Sequence, residues 1–371
     1  MVIACLGSVI LILLALTGTL SRGIWWRACL VTIVAVVLWI AAIDRFLPLE
    51  NSYPEAMTIR VALYAIDKFS HSNAAKYLFL IEGSSVTARG LNGELLEQRL
   101  RAEGIPATVI QISLDGANHL ERLEILKEFV SGLSASDKAR LAQSKVVFCQ
   151  EVEAGYDRSP FNHVESNQFT DRTLAYINVR NIPEICHWLL ARYGLKEVVQ
   201  HRDLLGALVT HELFNLFRIG YFQRLGQPWP FGLVRGFTPN EERRPDFHPD
   251  DPLPPTLDLS EFKKEEKAFQ KFTHWNIERD KDFRRVLQGS HETELFFSVP
   301  NWRPYDVAYD FWRSRHAGVA LYFCGNSVSV RTVLANPDLW SDPTHLKSAG
   351  ADLYTAEFSK FLADQIRSGK L

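Results

Sequence analysis

The stretch KYLFLIEG, residues 76–83, runs apolar from Tyr77 to Ile81 without alternation and stops at a glycine. A short unbroken run of aromatic and branched residues bounded by a turn signal predicts a strand buried on both faces. Two more runs of this kind follow, ATVIQIS (107–113) and KVVFCQEV (145–152). The segments between them, LNGELLEQRLRAEG (91–104) and HLERLEILKEFVSGL (119–133), carry leucines at helical spacing with charges opposite. The order is therefore β-α-β-α-β. A parallel crossover needs a connection this long, so the pattern predicts a three-layer α/β/α domain with a parallel sheet and helices on both faces. Near the C-terminus, YDVAYDFWRSRHAGVALYFCG (305–325) and the closing helix read as α-β-α and complete the sheet.

Length and charge narrow the field of functions. The chain has 371 residues, enough for a packed core, and 41 Lys plus Arg against 43 Asp plus Glu. This balance gives no global field toward nucleic acid and argues against a nucleic-acid partner. The five cysteines fit neither a zinc site nor a disulfide framework and read as buried free thiols.

The N-terminus reads differently. MVIACLGSVILILLALTGTL (1–20) has no charged side chain, and IWWRACLVTIVAVVLWIAAI (24–43) has a single arginine near its start, with Trp25 and Trp26 at the expected interfacial position. The SRG between them makes a tight connection, and the start lacks the basic region and cleavage site of a signal peptide. The expectation is an uncleaved transmembrane helical hairpin over 1–45 and a juxtamembrane linker over 46–75. An α/β domain follows over 76–371, interrupted by an insertion at about 160–300. Arg22 and Arg27 beside the connection favour an inward-facing loop and a domain outside the cytoplasm.

Within the insertion, HELFN (211–215) resembles the His-Glu-x-x-His zinc helix, but Asn215 stands where the second histidine belongs. His211 and Glu212 are accordingly not assigned to a metal, and no metal or other cofactor is expected. The amphipathic segment around them reads first as core packing, with a face toward the membrane or a transmembrane partner as the alternative, and the charged stretch Glu261 to Arg285 as a solvated face.

Two places carry candidate chemistry. The first predicted strand ends in IEGSSVTARG, which puts serines beyond the carboxyl end of a parallel strand, where ligands bind in such sheets. Ser84, Ser85 or Thr87 there can cap the following helix, or Ser85 can present a nucleophile with its own N–H toward an oxyanion. The second is WSDPTHLKSAG (340–350), in which Asp342 and His345 either cap a helix or form the acid-base half of a serine hydrolase.

Taken together, Gly83-Ser84-Ser85, Gly90 and the Asp342-x-x-His345 block resemble the SGNH, or GDSL, hydrolase superfamily. The Ser-Ser pair and long middle insertion resemble its membrane-anchored acyltransferase branch, which includes the D-alanine transfer protein of teichoic-acid modification and the alginate O-acetylation proteins. The resemblance covers roughly residues 76–155 and 303–366. It implies an SGNH-like fold with Ser85 as nucleophile, His345 as general base and Asp342 orienting the imidazole. ISLDGANHLER resembles the second family block and implies Gly116 as an oxyanion donor beside Ser85. The third block departs from the pattern: FCQEVEAGYDRSP lacks the expected asparagine, leaving Gln150 or Asn118 as substitute donors.

The function so implied is a membrane-anchored serine acyltransferase or esterase, working through an acyl-serine on a cell-envelope glycopolymer or lipid-linked substrate. Its partners would be an acyl donor, such an acceptor and an integral-membrane acyltransferase, and its place the inner membrane with the domain facing the periplasm or cell exterior. The alternatives are a non-catalytic SGNH-like binding subunit of an envelope polysaccharide-modification complex and a cytoplasm-facing lipid esterase.

Overall fold

The structure is a computed structural model. Its described residues are 22–47, 56–72, 76–115, 117, 119–151, 190, 195, 241–242, 284–287, 291–298, 320–323, 336–342 and 344–371. Helices α1 (Arg22–Phe46) and α2 (Ala56–His71) precede strand β1 (Tyr77–Glu82). Next come α3 (Ser85–Gly90), α4 (Gly93–Ala102), β2 (Ala107–Gln111), α5 (His119–Gly132), α6 (Ala135–Gln143) and β3 (Lys145–Glu151). Strands β4 (His291–Ser298) and β5 (Ala320–Phe323) are followed by a 3-10 turn (Pro337–Leu339), the short strands β6 (Trp340–Asp342) and β7 (His345–Leu346), and α7 (Ser348–Arg367).

Strands β1 to β5 form one sheet in the order β2-β1-β3-β4-β5, with every neighbouring pair parallel. Side chains alternate across it. Phe79, Ile81, Val147, Cys149, Leu295 and Phe297 face α4 and α7, where they meet Leu96, Leu100, Tyr354, Phe358 and Leu362. Leu78, Leu80, Val146 and Phe148 face α2 and α5, where they meet Ala65, Phe69, Leu126 and Phe129. Both faces are covered, which explains why β1 reads as a continuous apolar run. The stretch expected to be a linker thus contains α2, whose Phe69 ring packs edge-on against Phe129 at 6.0 Å. Strand β4 lies within the span that the sequence pattern assigns to the insertion. Its N-terminal half, His291-Glu292-Thr293-Glu294, is polar, and Glu294 is buried and paired with Arg284. That partner makes a strand of a segment lacking an apolar signature.

The transmembrane hairpin requires correction. Among the described residues, no helix is long and apolar enough to cross a membrane. The second apolar run forms the 25-residue helix α1, but only sixteen residues separate Arg27 from Asp44. At about 1.5 Å per residue these cover about 24 Å, short of a hydrocarbon core of about 30 Å. The first run, 1–20, lies outside the described residues. Among the described residues the fold is an α/β domain with a parallel sheet and no helix long and apolar enough to span a membrane, which overturns the expected hairpin. The inner-membrane location, the outward-facing domain and the membrane-embedded partner all rested on that hairpin and lose their support with it.

The strand order also locates the site. From β1 the chain moves to β2 on one side and then crosses to β3 on the other, so the connections diverge above β1 and β3. In open parallel sheets that crevice, at the carboxyl ends of the strands, is where ligands bind.

Candidate active site

Ser85 opens α3 directly after β1, on a turn that sterics force to contain glycine. A Cβ at Gly83 would collide with the side chain of Thr87 and with Glu151 Oε2. Ser84 is the N-cap: its hydroxyl oxygen accepts from Val86 N–H at 3.3 Å and its carbonyl from Ala88 N–H at 2.9 Å. The Ser84 hydroxyl proton goes to Glu151 Oε1 at 3.0 Å. Ser84 and Thr87 are therefore engaged in holding the turn, whereas the hydroxyl of half-buried Ser85 points elsewhere.

It points to His345. Ser85 Oγ lies 3.0 Å from His345 Nε2, and His345 Nδ1 lies 2.9 Å and 2.8 Å from the two oxygens of Asp342. An ionised carboxylate only accepts hydrogen bonds, so the Nδ1 proton faces Asp342 and Nε2 is left to accept from the serine. Asp342 does not cap α7, whose N-cap is Lys347 without a side-chain hydrogen bond. Instead Asp342 Oδ1 accepts from the N–H and O–H of Thr344, each at 2.9 Å, and from His345 N–H at 3.0 Å, which fixes the β6–β7 turn. Burial pushes the Asp342 carboxyl upward. The hydrogen bond and charge of His345, together with the two Thr344 donors, outweigh it and hold the group well below the usual carboxylate range. The Ser85–His345–Asp342 network is consistent with a serine-hydrolase catalytic triad.

The scaffold sets the two halves against each other. Helix α7, which follows His345, is tied to the α3–α4 joint: Asn92 N–H donates to Thr355 Oγ1 and Asn92 Nδ2 to Asp352 Oδ1, both at 3.0 Å. Gly350 lets the first turn of α7 approach the Leu339 carbonyl, where a Cβ would not fit. Arg89 of α3 reaches Asp115 in the loop after β2 at 2.6 Å, and Leu114 N–H donates to the Gly83 carbonyl at 3.1 Å. Beneath β1, the Arg122 guanidinium of α5 bonds Glu82 at 3.0 Å, with both side chains fully buried. On the β6 side, Ser341 Oγ donates to the Glu242 carbonyl at 2.6 Å, bringing one residue of the middle segment next to Asp342.

Of the oxyanion candidates, Gly116 and Asn118 lie outside the described residues. Gln150 is fully buried and by alternation shares the face of Val146 and Phe148, turned away from α3. The neighbour that does face α3 is Glu151, which pattern reading passed over. Its Oε2 accepts from Ser84 N–H at 2.6 Å and Thr87 Oγ1 at 2.7 Å. An acid that ends an apolar strand, on the face of Val147 and Cys149, was the available signal. Burial pushes the Cys149 thiol far up, so that sulfur offers no competing nucleophile. HELFN lies outside the described residues, and among those described no group of three or more His, Cys, Asp or Glu side chains could hold a metal ion.

Comparison of the chain with models of protein families, with curated proteins and with solved structures finds no match. The resemblance to the SGNH superfamily and its membrane-anchored acyltransferase branch is therefore corrected. Short blocks such as Gly-Ser-Ser and Asp-x-x-His recur wherever a turn needs small and capping residues, and here no family-wide similarity accompanies them. The envelope substrate and the envelope binding-subunit alternative, which came from that resemblance and from the expected anchor, are withdrawn with them. The chain carries a serine-hydrolase-like network on a parallel α/β sheet.

Proposed function

We propose that this protein is a serine hydrolase that cleaves an acyl ester through an acyl-serine intermediate. The observation that carries this reading is the continuous hydrogen-bond chain Ser85 Oγ, His345 Nε2, His345 Nδ1, Asp342. Ser85 Oγ attacks the acyl carbonyl carbon while His345 Nε2 takes its proton. The carbonyl electron pair moves onto oxygen, and the oxyanion is met by the Ser85 N–H, one of the first-turn amides a helix leaves without an internal partner. Collapse expels the alcohol, which receives the proton from Nε2 and leaves an acyl ester on Ser85. Water then attacks that ester with Nε2 again as base, releasing a carboxylic acid and restoring the serine. Asp342 remains ionised throughout, keeps the imidazole in its Nδ1–H tautomer and stabilises the imidazolium.

The test is labelling with a fluorophosphonate probe together with turnover of p-nitrophenyl acetate. Rapid labelling that disappears in Ser85→Ala supports the reading. Absence of labelling in the wild-type protein would mean that the fold serves as a binding platform, and labelling that survives in Ser85→Ala would move the nucleophile elsewhere.

A further inference from the structure

We propose that Glu151 is a positioning residue for the reaction at Ser85: its carboxylate grips the nucleophile turn from behind and acts through that turn without touching substrate. This inference rests on the reading of Ser85 as nucleophile. Glu151 ends β3 at the point where the sheet's connections diverge, 4 % exposed, and meets three donors from one turn. Oε2 accepts from Ser84 N–H at 2.6 Å and Thr87 Oγ1 at 2.7 Å, and Oε1 accepts from Ser84 Oγ at 3.0 Å. A carboxylate is the side chain that offers two acceptor-only oxygens in this space. The amide bond to Ser84 fixes the peptide plane between Gly83 and Ser84. The hydroxyl bond fixes the Ser84 rotamer that caps Val86. With Ser84 held at both ends, the backbone at Ser85 is held where its hydroxyl meets His345 Nε2 at 3.0 Å. The absence of a Cβ at Gly83 belongs to the same device, because Glu151 Oε2 occupies the space that it would need.

Gln at position 151 keeps the volume and one accepting oxygen, but its amide nitrogen can only donate. Ala removes all three bonds. With p-nitrophenyl acetate as substrate, Glu151→Gln should lower kcat about 10-fold and Glu151→Ala about 100-fold, since a displacement of about 1 Å at the reacting atom costs that much. KM should stay within about twofold in both, because no ground-state contact is lost. Partial rescue by Gln relative to Ala, and the split between kcat and KM, are readouts that a purely structural role would not produce. Ser84→Ala supplies a second, independent variant: if Glu151 works through Ser84, the double variant Glu151→Gln with Ser84→Ala is little worse than the worse single one. Should Glu151→Ala fail to fold, the Gln variant and this cycle carry the test. Wild-type kcat in Glu151→Gln, a raised KM with unchanged kcat, or strictly additive losses with Ser84→Ala would each overturn the inference. Ser85→Ala separates the two levels. If it still labels with fluorophosphonate, the nucleophile reading itself fails. If it is silent while Glu151→Gln labels at the wild-type rate, only the positioning role fails.

Discussion

Ser85 and His345 are 260 positions apart in the chain and meet at 3.0 Å between Oγ and Nε2. Nothing local links them: one opens α3 after the central strand β1, and the other sits in a hairpin just before the last helix. Their meeting depends on α7 docking against α3 and α4 through Asn92, Thr355 and Asp352.

Ser85→Ala should abolish fluorophosphonate labelling and reduce kcat/KM by about 10⁴-fold or more, with a thermal transition like that of the wild type. His345→Ala should be nearly as damaging. Because triad members act as a unit, the double variant should lie close to the worse single one. Independent, multiplicative losses in the steady-state rates would contradict this.

Gly83→Ala tests the close approach behind the nucleophile. The new methyl group must push aside Thr87 or Glu151. Displacing the turn should cost about 100-fold in kcat. Rates equal to wild type, measured on protein with an unchanged circular dichroism spectrum, would show that the turn has slack.

Arg122 and Glu82 form a fully buried pair under β1. Arg122→Met alone should destabilise by about 3–5 kcal/mol because it strands a buried carboxylate, while the double change Arg122→Met with Glu82→Leu should cost far less. Urea unfolding of the three proteins decides the matter, and equal losses in the single and double variants would argue against a pair-based account.

Asp342 connects the site to acid stability. Its folded-state pKa lies below the unfolded value of about 3.9, so it favours folding above that pH, and the contribution is lost as pH falls through the folded value. The stability advantage of wild type over Asp342→Asn that comes from this carboxylate should therefore be present above about pH 4 and shrink below it. Denaturant titrations across that range would reveal the trend, and a gap that widens on acidification would refute it. The same substitution should lower kcat, because an amide at this position no longer stabilises the imidazolium.

What the sequence determined by itself was local. Buried strands such as Tyr77–Glu82 and Lys145–Glu151 announce themselves, because a parallel sheet covered on both faces favours apolar residues at nearly every position and leaves a dense run. The amphipathic helix α4 was equally visible from its period, and the serine turn and the Asp342–His345 spacing from their residue types. β4 was not visible, because its polar half becomes tolerable only once Glu294 finds Arg284. The apolar run 24–43 was visible as a helix, but among the described residues no helix is long and apolar enough to cross a membrane. Only the tertiary structure decided which serine faces His345, because Ser84 and Ser85 are identical in kind and differ in what surrounds them. It also brought Glu151 to the nucleophile turn, by means of a crossover that sets the end of β3 beside the end of β1. Strand order and the direction of a buried side chain are set by packing between distant segments, and no local period encodes them.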